Sequence, residues 1–219
     1  MDIACLGHSC FKLRSSSGSL VFDPFDKSIG LPVPKASADV VCVSHGHHDH
    51  SNVAAVLGTA RREEPVVIDG PGEYEVAGIS VFGFRSFHDK KQGAERGVNT
   101  IYVVHIDGVK VGHLGDLGHV LTDKQVEEVD GIDVLLVPVG GFYTIDPAEA
   151  IKVAAVIGPQ ILVPMHYKTS EHNKKIFGSL ATLDDFLKEA GAEDAVKTDK
   201  LTVTVASLPD EMEIVVIGK

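Results

Sequence analysis

Residues 44 to 51 read Ser-His-Gly-His-His-Asp-His-Ser, a run of imidazole and carboxylate side chains dense enough to bind metal. It follows residues 40–43, a continuous apolar stretch of the buried-strand type. In an extended chain, residues two apart point the same way, so His45 and His47 can reach one ion. The chain must then turn, which aims Asp49 and His50 at a second point where another ion fits. Imidazole plus carboxylate ligation suits Zn²⁺ in a catalytic site and leaves Mn²⁺ and Fe open. His48 falls between these positions and is expected to face solvent.

One loop cannot complete a metal centre. His88, Asp116 and His166 each stand just past the C-terminal end of an apolar strand, and strand ends in sheet proteins converge on one rim. His113, three residues before Asp116, competes with His88. Cys42 reads as a small buried strand residue rather than a ligand. His105, His119 and His172 have no motif around them and default to surface or structural roles. No Gly-x-Ser-x-Gly elbow and no phosphate-binding Gly-Lys loop occur, so nucleophilic serine and nucleotide chemistry lack their signatures.

The elements that must carry these side chains follow from periodicity and turn residues. Short strands are expected at 3–6, 11–14, 20–22, 66–68, 75–76 and 79–84. Asp107-Gly108 joins 100–106 and 109–114 as a hairpin. A helix is expected near 52–57, another near 122–129, and a strand at 132–139. Asp146-Pro147-Ala148-Glu149 combines an N-cap, proline at the first position and a capping-box glutamate, so 147–157 is helical. A strand at 161–164, a helix at 182–190 and strands at 201–206 and 213–217 complete the chain. The polar segment 88–99 reads as a loop; Lys90, Lys91 and Arg96 on it could meet a phosphate or carboxylate, or form a solvated face. Tyr143 and Tyr167 fall near the expected rim. Strands with helices in both halves point to two sheets face to face with helices outside, in one domain spanning 1–219.

Bulk properties narrow the partners. A hydrophobic share of 44% and a charged share of 23% are those of a folded globular chain. A net charge of −11 works against nucleic acid and anionic membranes, which need a positive field. Neither a basic leader with an apolar core nor a spanning apolar run is present, and the three cysteines form no Cys-x-x-Cys pair. The expectation is a cytoplasmic protein with reduced thiols and a small-molecule substrate; oligomeric state is not legible.

The order His-x-His-x-Asp-His, then separate His, Asp and His motifs, resembles the metallo-β-lactamase superfamily. Leu6-Gly7-His8-Ser9-Cys10-Phe11, Asp23-Pro24-Phe25 and Gly112-His113-Leu114-Gly115-Asp116 are similar to the small branch that holds ascorbate-6-phosphate lactonase and N-acylphosphatidylethanolamine phospholipase D. That resemblance implies an α+β four-layer αββα sandwich. It implies one metal on His45, His47 and His88, a second on Asp49, His50 and His166, and Asp116 bridging both, with Asp23 supporting from behind. His8 belongs to the branch signature as a pocket residue, and Asp49 could orient the nucleophile. Two zinc ions roughly 3.5–4 Å apart would share a hydroxide that attacks a small ester, lactone or phosphodiester. A metal-dependent nuclease and a non-catalytic metal-binding or sensing protein on the same fold are the alternatives. An iron redox variant would need a flavin domain for which the chain has no room.

Overall fold

The computed structural model describes residues 1–218. Two mixed sheets pack face to face. The six-stranded sheet runs in space Leu201–Thr202, Asp2–Gly7, Cys10–Arg14, Ser19–Phe22, Val40–Cys42, Val66–Ile68. The eight-stranded sheet runs Val196–Thr198, Glu213–Ile217, Ile161–Met165, Val134–Pro138, Val109–His113, Val98–Ile106, Ile79–Phe87, Gly72–Val76. In each sheet, antiparallel meanders give way to parallel pairs, and the parallel strands carry the chain to the metal-ligand candidates.

Period-two alternation divides the apolar residues. Phe22, Val40 and Cys42 face the inter-sheet core together with Val104, Val111 and Leu136. Their neighbours Val21, Val41 and Val43 face outward and are buried all the same, under Ile29, Phe177 and Leu180. This two-sided burial explains why the Val40–Cys42 strand reads as a continuous apolar run. The outer face of the eight-stranded sheet is covered by helices Pro147–Ile157 and Leu183–Ala190, through Val153, Ala154, Phe186 and Leu187. The other outer face carries only short pieces, the Lys27–Ile29 and Val53–Ala55 turns and the Lys174–Phe177 helix.

Local signals predicted most elements. Asp107 and Gly108 have φ of 52° and 79°, the left-handed pair a two-residue hairpin needs. The Pro147–Ile157 helix has its reciprocal capping box at Asp146 and Glu149. The helix expected at 52–57 does not form. Val53–Ala55 is a single 3₁₀ turn, and Val56–Leu57 pairs in parallel with Ala36–Ser37. Six residues with two valines are too few to sustain a helical nucleus, and the pairing of Val56–Leu57 with Ala36–Ser37 takes the end of the segment into extended structure. The strand expected at 201–206 stops at Thr202, and Val205–Ser207 turns away from the sheet edge. None of the helices among the described residues is long and apolar enough to cross a membrane.

One side chain ties the sheets together beneath the site. The buried Tyr102 hydroxyl, from the eight-stranded sheet, lies 2.9 Å from the Val43 carbonyl and 3.1 Å from that of Ile68, both on the six-stranded sheet. It secures the strand end from which the histidine run departs. Tyr102→Phe is expected to cost about 1–2 kcal/mol of stability, read by urea unfolding, because a buried acceptor loses its donor. No change in the unfolding midpoint would refute that tie.

Candidate metal centre

Ser44 is the anchor of the histidine run. Its backbone N–H and hydroxyl both donate to the fully buried Asp23 carboxylate, at 2.7 and 2.6 Å. The other ring that Asp23 holds is His50, through Nδ1 at 2.7 Å. That bond leaves His50 Nε2 aimed away from Asp23, buried and without a hydrogen-bond partner. The motif turn is closed by the His50 N–H on the His47 carbonyl at 3.0 Å.

Asp116 lies at the middle. Its Oδ2 stands 3.2 Å from His88 Nε2 and 3.2 Å from His166 Nε2, and its Oδ1 stands 3.2 Å from His50 Nε2. Donor atoms of His45, His47 and His88 lie within 4.8 Å of one another, as do those of His8, Asp49, His50 and His166, and of His45, His50 and Asp116. The structure thus brings together His8, His45, His47, Asp49, His50, His88, Asp116 and His166. It separates His88 from His113. The His113 ring stacks on Phe22 at 4.5 Å, donates from Nε2 to the Ser9 carbonyl at 2.9 Å, and accepts the Gly115 N–H on Nδ1 at 3.1 Å. Both of its nitrogens are spent. His48 is exposed, as its position in the motif suggested.

Backbone strain marks the same rim. His8, Asp23 and His166 have φ of 54°, 44° and 56°, a left-handed conformation that non-glycine residues seldom adopt. Glycines permit the close packing: a Cβ on Gly140 would sit 2.1 Å from the His166 carbonyl oxygen, and one on Gly118 2.3 Å from the His88 carbonyl carbon. Asn99 is a supporting residue that no motif marked. Its Oδ1 accepts the Asp116 N–H at 2.9 Å, while its Nδ2 donates to Ser86 and Leu114. In the sequence Asn99 ends the polar 88–99 segment, and no local pattern marks its role.

The charged segment after His88 is wound around one residue. The Asp89 carboxylate accepts backbone N–H groups from Lys91, Gly93, Glu95 and Arg96 at 2.7–3.0 Å. Burial would raise its pKa, but those amides hold it down at about 2. The loop cations are engaged elsewhere. Lys90 pairs with Glu149, Lys91 with Glu95, and Arg96 lies over the Tyr143 ring at 5.7 Å. Tyr143 itself donates to the Ile176 carbonyl at 3.0 Å. His172, assigned no site role from sequence, is buried and reaches His8 at 3.2 Å.

The electrostatics are those of a cation site. Burial raises a carboxyl pKa, yet the imidazoles of His166 and His50 hold Asp116 well below the ordinary carboxylate range. Burial likewise opposes charge on His50, but Asp116, Asp49 and Asp23 outweigh it and push that imidazole well above its usual value. Buried Asp116 Oδ1 and both nitrogens of His166 have no hydrogen-bond partner. Donors bound at about 2.0–2.2 Å to one ion stand about 3–3.5 Å apart, the separations found around Asp116. These residues fit a metal.

A sandwich of two mixed sheets with such a cluster at one rim defines a metallo-hydrolase architecture. The model of a Beta-lactamase superfamily domain matches residues 2–166. A UPF0173 metal-dependent hydrolase of Methanoculleus marisnigri is 34% identical, over 77% of this chain and 82% of its own. A Thermotoga maritima crystal structure, assigned to the Zn-dependent hydrolases of the metallo-β-lactamase superfamily, is 41% identical with a TM-score of 0.79, covering 99% of this chain and 97% of that one. Igni18, a metallo hydrolase of Ignicoccus hospitalis, shares the fold at 20% identity and a TM-score of 0.66, covering 100% and 96%. The chain belongs to the metallo-β-lactamase superfamily and is a metal-dependent hydrolase.

Asp23 touches no ion in this geometry, yet it orients His50 and anchors Ser44. Asp23→Ala is expected to weaken metal binding about 10–100-fold, the range for partners that orient a ligand, in competition against a chelator. Unchanged affinity would remove it from the centre.

Proposed function

We propose that the centre holds two zinc ions and hydrolyses a small neutral ester or lactone. The observation that carries this reading is the position of Asp116 Oδ2, 3.2 Å from a histidine of each group, which is where a bridging carboxylate must lie. His45, His47 and His88 would hold one ion, Asp49, His50 and His166 the other, and Asp116 both. All seven donors are imidazole or carboxylate groups, on three separate strand ends and one loop, with no thiolate, which suits Zn²⁺ and leaves Mn²⁺ and Fe as arms of the test. Bound there, a zinc pair supplies an activated water at neutral pH and Lewis-acid polarisation of the scissile group.

The chain's own residues set the rest. Asp23 and Ser44 fix the His50 and His45 side of the centre, and Asn99 fixes Asp116, so the donors are ordered before any ligand arrives. A cavity of about 470 Å³ opens beside His8, His166 and His172. Its lining among the described residues includes Glu171 and Asp199 and no lysine or arginine. Lys90 and Lys91 are paired to glutamates, Arg96 lies over the Tyr143 ring, and the described cavity lining offers no cation to a phosphate, which favours a neutral ester or lactone over a phosphodiester. The net charge of −11 counts the same way against RNA.

Metal analysis with anomalous scattering at the zinc edge is expected to find two ions per chain, falling to one or none in Asp116→Ala. Chelation should abolish hydrolysis of a panel of aryl esters and lactones, and Zn²⁺, Mn²⁺ or Fe²⁺ added back should rank the metals. Two ions retained in Asp116→Ala would reject the bridge. A single saturated zinc with no hydrolysis would favour a non-catalytic role, and RNA or phosphodiester cleavage lost in His45→Ala would favour a nuclease.

A further inference from the structure

His172 lies beyond the Ile161–Met165 strand, buried behind the centre. Its Nδ1 accepts the backbone N–H of Thr169 at 3.0 Å, with the Thr169 hydroxyl 2.9 Å from the same nitrogen. An amide N–H can only donate, so His172 Nδ1 carries no proton and the neutral ring carries it on Nε2. That Nε2 stands 3.2 Å from His8 Nδ1. His8 Nδ1 is therefore the acceptor, and the His8 proton sits on Nε2. A second proton on either ring would oppose two N–H groups, at Thr169 or between the imidazoles.

The proton so placed points into the centre. The His8 side chain is wholly buried, and its Nε2 has no hydrogen-bond partner and faces Asp49 Oδ2 at 3.5 Å. The same Oδ2 stands 3.6 Å from His50 Nε2. The His8 ring is confined by His166, at 4.1 Å between centroids, and by the edge of Phe177, at 5.0 Å. Proximity alone would make His8 a fourth donor to the group of Asp49, His50 and His166. The direction of the hydrogen-bond chain says otherwise, because a nitrogen bearing a proton has no lone pair for a cation.

We infer that Thr169 and His172 lock His8 as the Nε2–H tautomer, a positioning residue that donates to Asp49 and does not itself ligate metal. The inference rests on the dinuclear reading for Asp49's role, but the tautomer chain stands without it. A hydrogen bond donated to that Oδ2 would fix the rotamer of Asp49 beside His50.

The test is a long-range ¹H–¹⁵N correlation spectrum of ¹⁵N-histidine-labelled protein, with and without zinc, with signals assigned by His8→Gln and His172→Gln. Both His8 and His172 are expected in the Nε2–H pattern in both spectra, while ligand imidazoles shift with zinc. An Nδ1–H pattern for His8, or a metal-bound nitrogen shift, would overturn the inference. In chelator competition, His172→Leu should weaken zinc binding about 10-fold or more, whereas His172→Gln, whose amide can still donate to His8, should retain most of the affinity. Equal losses in the two variants would overturn the donor role. A metal count on the parent protein serves as the separate control: if it holds fewer than two ions, the dinuclear reading fails, and the zinc-free spectrum still decides the tautomers.

Discussion

The Asp116 carboxylate is buried among three imidazoles at 3.2 Å, and the rest of the molecule is arranged around that concentration of donors. A buried charge without compensation is costly, and imidazole lone pairs aimed at one another gain little until a cation draws them together. Keeping them apart but convergent requires each ligand candidate to be held from behind. Asp23 does this for His50, Asn99 for the Asp116 backbone, and Gly118 and Gly140 admit the chain so closely that His88 and His166 cannot retreat.

The two-sheet sandwich suits that demand because its parallel strands all end on one rim. Val40–Cys42, Val109–His113 and Ile161–Met165 are buried on both faces, and each releases its chain directly into the centre. The left-handed backbone at His8, Asp23 and His166 is the local cost of turning from a strand into the centre within one residue. Tyr102 links the two sheets under this rim, so the halves that contribute ligands cannot slide apart without losing a buried hydrogen bond.

Membership of the metallo-β-lactamase superfamily places the chemistry with hydrolysis, and the surroundings of the centre bear on what is hydrolysed. The loop after His88 is ordered by Asp89, with Lys90 paired to Glu149 of the Pro147–Ile157 helix and Lys91 to Glu95. The adjoining cavity carries carboxylates. Composition alone left this loop open between an anion contact and a solvated face; its hydrogen bonds describe a rigid shoulder.

The metal-binding run, its delivery by an apolar strand, the Asp107-Gly108 hairpin and the capped Pro147–Ile157 helix were legible in the sequence because each depends on neighbours within a few residues. So was the order of the remote candidates, since His88, Asp116 and His166 all follow apolar strands. Residues 52–57 misled, because so short a segment of helix-compatible composition yields to its surroundings, and Val56–Leu57 instead pairs with the distant Ala36–Ser37. Which of His88 and His113 faces Asp116 was decided by side-chain direction across strands, and His113 turned to Phe22 and Ser9. The contact between His8 and His172 spans 164 positions, and no local pattern encodes it. Sequence by itself determined which atoms could bind a metal; only the tertiary structure decided, through burial and long-range hydrogen bonds, which nitrogen of each ring is left to do so.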